Sequence, residues 1–257
     1  MKDFLTEAYQ FLLKNFLSAI YGILFVVIIF IWKKIQIGSL SQLDIIFITI
    51  VLLQICLLLF KIESKRDFLT IMIFHLLATF MELFKTSPWI SSWQYPGVTQ
   101  SIFHIYNVPL FTGFMYSAVG SYISRAQEFL NLRYTGYPKQ KYVWILCALI
   151  YINFFMHHFI FDFRIFLIVW SIVLYWKTKV SYQVYKKVRH MHFLVTAFLT
   201  AVVIWLVENI STFHQVWLYP DQVESWHLVS FSKVTAWYLL LIVSFWVISS
   251  LKMFRMQ

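Results

Sequence analysis

Residues 82–104 read ELFKTSPWISSWQYPGVTQSIFH, and a shortened copy occupies residues 208–227, ENISTFHQVWLYPDQVESWH. In each, a Glu is followed four residues on by a Thr: Glu82 and Thr86, then Glu208 and Thr212. Both then carry Trp-x-Tyr-Pro, at 93–96 and 217–220, and close on a His, His104 or His227. The pattern describes a helix end, an aromatic loop and a helix start, used twice. Interfacial loops are generally rich in Trp and Tyr, so aromatic content alone would say little. The shared Glu-x3-Thr opening and the closing His point to a duplication.

Around these cassettes the chain is apolar. Of 257 residues, 61% are hydrophobic and 12% charged, with a mean hydropathy of +0.73. Soluble domains carry about 25% charged residues, and no soluble fold of this size could bury so much apolar surface. Lipid is its natural solvent. The net charge of +10 would suggest nucleic acid in a soluble protein. Here the basic residues lie between apolar runs, where they orient the chain and meet anionic headgroups. The expected partners are the bilayer and a lipophilic substrate, with no nucleic acid. Cys56 and Cys147 fall inside apolar runs and read as packing residues. The first apolar run has no small-residue cleavage site and ends at Lys33-Lys34, so it reads as a span, not a cleaved signal.

A span needs about 20 mostly apolar residues. Eight are expected: 16–32, 44–60, 68–84, 101–123, 142–160, 163–176, 193–210 and 228–251. The sixth is short and either tilts or continues as a helix into the headgroups. Basic residues test this count. The N-terminus has two, the second loop three, the fourth four, the sixth five and the C-terminus two, which places sixteen of the 21 on one side. Lys33, Lys34, Lys85 and Arg164 lie on the other, and Lys233 falls inside the eighth span. Both termini are therefore expected in the cytoplasm. The cassettes join spans three to four and seven to eight, on the extracytoplasmic side. The expected fold class is all-α: a polytopic membrane helix bundle with eight transmembrane helices and a 4+4 parallel internal repeat. It is a single integral membrane domain over 1–257, with halves 1–124 and 142–251.

Ionisable groups within spans cost several kcal/mol unless paired. His75, Thr79 and Glu82 share one face of span three. Span four carries His104, Asn107 and Pro109. Span five carries Asn153, His157, His158 and Asp162, with Arg164 following. Span seven ends at Glu208 and Asn209. In span eight, Trp226, Ser230, Lys233 and Trp237 share a face next to His227. Nearly all lie in the outer half, and the inner half reads as almost purely apolar. A polar cavity opening outward is expected, with His75, Glu82, His157, His158, Asp162 and Glu208 converging in it. Singly, an Asn or His in a span commonly only bonds a neighbouring helix, worth roughly 0.6–2 kcal/mol. The acids have a structural alternative too, with Lys233 as a partner for Glu208 or Glu82.

Three functional readings follow. In the first, a membrane-embedded enzyme acts on a lipophilic substrate. Glu82, His158, Asp162 and Glu208 are its catalytic acids and bases. His75, His157 and His158 are candidate ligands for a divalent metal that would activate water. His104, Asn107, Asn153, Trp226, His227 and Lys233 line its substrate pocket. No His-Glu-x2-His or Asp-rich prenyl-diphosphate motif supports it. In the second, the repeat, the mid-membrane His75 and Lys233, and Pro109 serve a small-solute transporter. The count of six Gly tells against moving helices. In the third, the chain is a non-catalytic membrane component whose aromatic loops bind a partner or a lipid.

The runs HLLATFMELFKTSPW, SWQYPG and NVPLFTGFMYSAVGSYI between residues 75 and 123 resemble the YoaT-like family of bacterial integral membrane proteins. So do NFFMHHFIFDFR at 153–164 and WLVEN at 205–209. The resemblance implies a bacterial cytoplasmic membrane and a multi-span fold. It implies no reaction and no site residue.

Overall fold

The structure, a computed structural model, describes residues 2–32 and 37–253. Lys33 and Lys34, expected to follow the first span, and Arg255 lie outside the described residues. The described chain is mostly helical. Its helices are α1 (Lys2–Ser18), α2 (Ile20–Trp32), α3 (Gln42–Leu59), α4 (Lys65–Lys85), α5 (Phe111–Phe129), α6 (Gln140–Met156), α7 (Arg164–Tyr175), α8 (Phe193–Phe213) and α9 (Lys233–Met253). Stretches of α3, α4, α8 and α9 are long and apolar enough to cross a membrane. Together α1 and α2, broken at Ala19, make a fifth if they are counted as one span. Helices α6 and α7 are apolar but shorter.

Capping chemistry fixes where α3 and α4 begin. Ser41 with Asp44, and Ser64 with Asp67, form reciprocal capping boxes, which satisfy backbone N–H groups that a first helical turn leaves open.

The remaining boundaries depart from hydropathy in instructive places. Residues 101–110 are not helical. They hold a two-stranded hairpin, β1 (His104–Ile105) and β2 (Val108–Pro109), turning through Tyr106 at φ 51°. Pro109 therefore sits in a strand and kinks no helix. Helix α6 stops at Met156, so His157, His158 and Asp162 lie in a turn and not on helical stripes. Helix α9 starts at Lys233, so Trp226 and Ser230 precede it and share no face with Trp237. The sixth apolar run ends at Tyr175 and passes into strands instead of extending as a helix. β3 (Arg133–Thr135), β4 (Lys179–Gln183) and β5 (Val188–His192) form an antiparallel sheet in the order β3-β4-β5. These two small sheets qualify the all-α expectation.

The chain gathers into two compact units. The first comprises residues 19–122 and 209–228. Its core takes Tyr21, Phe25 and Ile29 from α2, Ile46 and Ile50 from α3, and Phe111 and Phe114 from α5. The three- and four-residue spacings place each set on one helix face. Leu76, Leu77 and Phe80 on α4 are exposed, a distribution suited to lipid. Helix α5 lies close against α4 along Gly113, Ser117 and Gly120. A Cβ at Gly113 would stand 2.3 Å from His75 Nδ1, and one at Gly120 2.9 Å from the Phe74 ring. Ser117 Oγ donates to the Ile71 carbonyl at 2.8 Å. Small residues at this spacing let helix backbones approach in lipid.

The second unit comprises residues 1–18, 123–208 and 229–257. Helices α6, α7 and α9 pack on one another. Ser171 and Tyr238 share a hydrogen bond of 2.9 Å, and Trp144 meets Trp246 edge-on at 4.3 Å. Helix α1 is tied to the sheet region. Arg189 pairs with Glu7, and Lys14 Nζ donates to the Gln183 carbonyl at 3.1 Å.

Candidate functional site

The first unit holds the first cassette's Glu at its centre. Glu82, fully buried near the end of α4, accepts hydrogen bonds on Oε2 from Trp93 Nε1 and the Tyr95 hydroxyl, each at 2.8 Å. Tyr116 on α5 adds a further side-chain interaction. The Trp and Tyr of the Trp-x-Tyr-Pro loop thus fold back onto the acid that opens the cassette. Thr86 Oγ donates to the Glu82 carbonyl at 2.8 Å, and Asn107 Nδ2 donates to the Thr86 carbonyl at 3.2 Å. Both contacts finish the end of α4.

A second buried acid, Asp44, was not singled out by sequence reading. Its Oδ1 accepts from Ser101 Oγ at 2.6 Å, Ile102 N–H at 2.8 Å and Phe103 N–H at 2.9 Å. Its Oδ2 takes the Ser41 hydroxyl at 2.7 Å. The N–H groups of residues 102 and 103 are committed to this carboxylate, and Pro109 could donate no hydrogen bond within a helix run through this segment. The legible signal was Ser41-x2-Asp44 ahead of an apolar run. We expect Asp44→Asn to cost about 1–2 kcal/mol, since the amide places a donor where the cap hydroxyl now donates. A lower apparent melting temperature and faster proteolysis near residue 102 would register this. Unchanged values for both would mean the loop is held by other contacts.

Toward the α3–α4 connection, Gln54 Nε2 donates to Glu63 Oε2 at 2.6 Å, and Ser121 Oγ lies 3.5 Å from Glu63 Oε1, all three being buried. The connection between α3 and α4 therefore carries a hydrogen-bonded polar cluster. It escaped notice because Glu63 lies between apolar runs and reads as a loop residue.

The two Trp-x-Tyr-Pro motifs pair with each other. Gln94 and Leu218, their middle residues, form an isolated antiparallel bridge with both hydrogen bonds at 2.9 Å. Trp93 and Tyr219 meet edge-on at 6.3 Å. Two residues before each Trp stands a left-handed residue, Ser91 at φ 46° and Gln215 at φ 54°. After each Tyr comes a 3-10 turn, Val98–Gln100 or Pro220–Gln222. Beside the bridge lies a cavity of about 450 Å³. Ser39, Gln42, Gln100 and Gln215 give it hydrogen-bonding groups, and Ile29 and Val216 give it apolar wall. Among the described residues, no ionisable side chain lines it.

The other expected site residues of this unit are spread around these features. His75 lies mid-way along α4 with its ring 4.3 Å from that of Phe114. Its buried Nδ1 has no hydrogen-bond partner among the described residues. His104 Nδ1 bonds the Ser101 carbonyl at 2.7 Å. Trp226 Nε1 donates to Thr212 Oγ1 at 3.1 Å. His227 contacts the Leu228 and Asp221 carbonyls and lies 3.5 Å from the Asp221 carboxylate. Those carbonyls, with Asp221, raise its pKa above the usual imidazole value.

In the second unit, Asn153, Asp162 and Arg164 interlock. Asn153 Nδ2 donates to Asp162 Oδ1 at 3.0 Å and Asn153 Oδ1 accepts from Phe163 N–H at 2.9 Å. Arg164 pairs with Asp162 at 3.1 Å. His157 Nδ1 bonds the Asn153 carbonyl at 2.9 Å, and the rings of His157 and His158 lie 4.0 Å apart. Glu208, buried in α8, accepts from Trp237 Nε1 at 3.0 Å. Lys233 opens α9. Among the described residues, no three His, Cys, Asp or Glu side chains gather closely enough to hold a metal ion.

A mostly helical chain with several membrane-length apolar helices, lipid-facing apolar side chains and internally bonded acids is a multi-helix protein suited to a bilayer. The chain belongs to the family described as protein of unknown function (DUF817), which matches residues 7–245. It is 38% identical over 218 residues to the uncharacterized protein YoaT of Bacillus subtilis (strain 168), across 85% of this chain and 81% of that one. No solved structure matches it.

Proposed function

We propose that this is a bacterial cytoplasmic-membrane protein with eight embedded segments and both termini in the cytoplasm. In this reading it binds a neutral amphipathic molecule in the outward-facing cavity beside the paired loops, as a transporter or receptor and not as a hydrolase. The cavity lining carries the proposal. Amide and hydroxyl groups beside apolar wall suit a ligand with hydroxyl or amide groups on a hydrocarbon body, and the volume falls within the usual range for small-molecule pockets. That the acids named as catalytic candidates accept hydrogen bonds from neighbouring side chains supports this reading: Glu82 from Trp93 and Tyr95, Glu208 from Trp237, Asp162 from Asn153.

Contacts between loops support the topology. Segments assigned to the cytoplasmic side meet each other, as α1 meets the β4–β5 hairpin through Glu7–Arg189. Segments assigned outside also meet, through Asp44–Ser101 and Gln94–Leu218. The parallel repeat is supported by the bridge itself. Equivalent residues facing each other in antiparallel register are what a local two-fold relation requires.

Short-chain monoacylglycerol is the probe. Added to the protein in nanodiscs, it should raise the apparent melting temperature saturably, with the response lost in a Gln100→Leu/Gln215→Leu variant. Lysophosphatidic acid of the same chain length should bind less well, because the described lining residues are all uncharged. Equal response to both, or none to either, would refute the binding site. Release of fatty acid from the probe would instead favour the enzyme.

A further inference from the structure

We infer that α6 and α7 do not cross the membrane but form a re-entrant hairpin, whose turn at 157–163 ends among the acyl chains of the outer leaflet. This rests on the proposed orientation, in which Lys139, Lys141, Lys177 and Lys179 are cytoplasmic. Helix α6 has 17 residues and α7 has 12. At 1.5 Å per residue they rise about 25 and 18 Å, against a hydrocarbon core of about 30 Å. Tilt would make the shortfall worse. The chain does not extend α7 as a helix, because Thr178 Oγ1 bonds the Gly136 carbonyl and β4 begins at Lys179.

The two ends of the hairpin differ in chemistry. At the basic end, Tyr142, Trp144 and Trp176 are exposed, the residue types that settle at a membrane–water interface. At the turn, Phe159, Ile160, Phe161, Phe163, Ile165 and Phe166 are exposed instead, Ile165 by 73%. Phenyl and branched alkyl groups suit hydrocarbon, and no Trp, Tyr or Lys occurs from 152 to 169. His158 is exposed, while Asn153, Asp162 and Arg164 bond one another. Asp162 is held by Asn153, the Arg164 N–H and the Arg164 guanidinium. Asn153 returns its oxygen to Phe163 N–H. Such bonding lowers the cost of placing this turn near the outer boundary of the hydrocarbon, where each unsatisfied polar group costs several kcal/mol. A re-entrant pair leaves the sidedness of every other segment unchanged, so the distribution of basic residues fits it as well as two crossings.

The test is spin-label accessibility in nanodiscs, on a background with Cys56 and Cys147 replaced by Ala. Labels go at Phe161→Cys, Ile165→Cys and, in the outer hairpin, Tyr106→Cys. Labels at 161 and 165 should be relaxed strongly by oxygen and little by a water-soluble nickel chelate. The label at 106 should show the opposite, and in closed liposomes it should respond to chelate on the extracytoplasmic side only. Chelate relaxation at 161 equal to that at 106 would overturn the re-entrant hairpin while leaving the orientation intact. Shielding of 161 from both relaxants, with dipolar broadening between labels, would overturn it in favour of a second copy of the chain over the turn. A label at 106 that responds from the other side would overturn the orientation itself.

Discussion

Glu82→Ala is expected to lose roughly 3–5 kcal/mol of stability, because it leaves two aromatic donors without an acceptor in a buried site. Trp93 Nε1 and the Tyr95 hydroxyl both end on Oε2, and Tyr95 is buried, so solvent cannot replace the carboxylate there. Each orphaned donor costs about 1–3 kcal/mol, and the vacated volume adds to that. The check is the apparent melting temperature and the monodisperse fraction of purified protein. Glu82→Gln keeps an acceptor oxygen and the side-chain volume, so it should cost only about 1–2 kcal/mol. The comparison separates roles. A catalytic acid would lose its function in the glutamine variant while the fold survives. An acceptor that pins the loop would lose little in glutamine and much in alanine. Equal melting for wild type and Glu82→Ala would mean that the loop is not held by this carboxylate.

Gly113→Ala should be a severely damaging single-methyl change at the α4–α5 contact. Its Cβ would stand 2.3 Å from His75 Nδ1, 2.7 Å from the His75 carbonyl oxygen and 2.7 Å from Thr79 Oγ1. The His75 ring can turn away, but the carbonyl belongs to the α4 backbone, so the helices must separate. Overpacking of this kind costs at least about 3 kcal/mol where backbone has to move. Separation would also stretch the Ser117–Ile71 contact one turn along. Gly22→Ala is the control. Its Cβ would lie 3.3 Å from the Ala118 methyl, which needs only a small adjustment. Comparing the yield of folded protein from membranes tests the pair: Gly113→Ala should fall to a small fraction of wild type and Gly22→Ala should stay close to it. Similar yields for both would show that α4 and α5 do not depend on that close approach.

The site was partly legible before the fold was known. Glu82 and Trp-x-Tyr-Pro stood out because an acid in an apolar run and a repeated aromatic motif are both costly to place at random. Their partnership was not legible, since Trp93 and Tyr95 are 11 and 13 residues from the acid they bond, across a loop of no regular period. Asp44 and Glu63 were missed for a related reason. An acid at a helix start or in a connection looks solvated in sequence, and only long-range contacts such as Asp44 to residues 101–103 show otherwise.

By itself, the sequence determined that this chain is suited to lipid, roughly where its apolar helices fall and that Trp-x-Tyr-Pro occurs twice. Those properties depend on transfer energy and local periodicity, which are carried by neighbouring residues. The tertiary structure decided where helices actually begin and stop, which acids serve as acceptors, and that the two aromatic motifs pair centre to centre. Each of these depends on what a backbone N–H or a side-chain donor finds across a distance in sequence. Residues 101–110 show the difference most directly: apolar enough for a helix, they form a hairpin, anchored by the bonds of residues 102 and 103 to the distant Asp44 carboxylate.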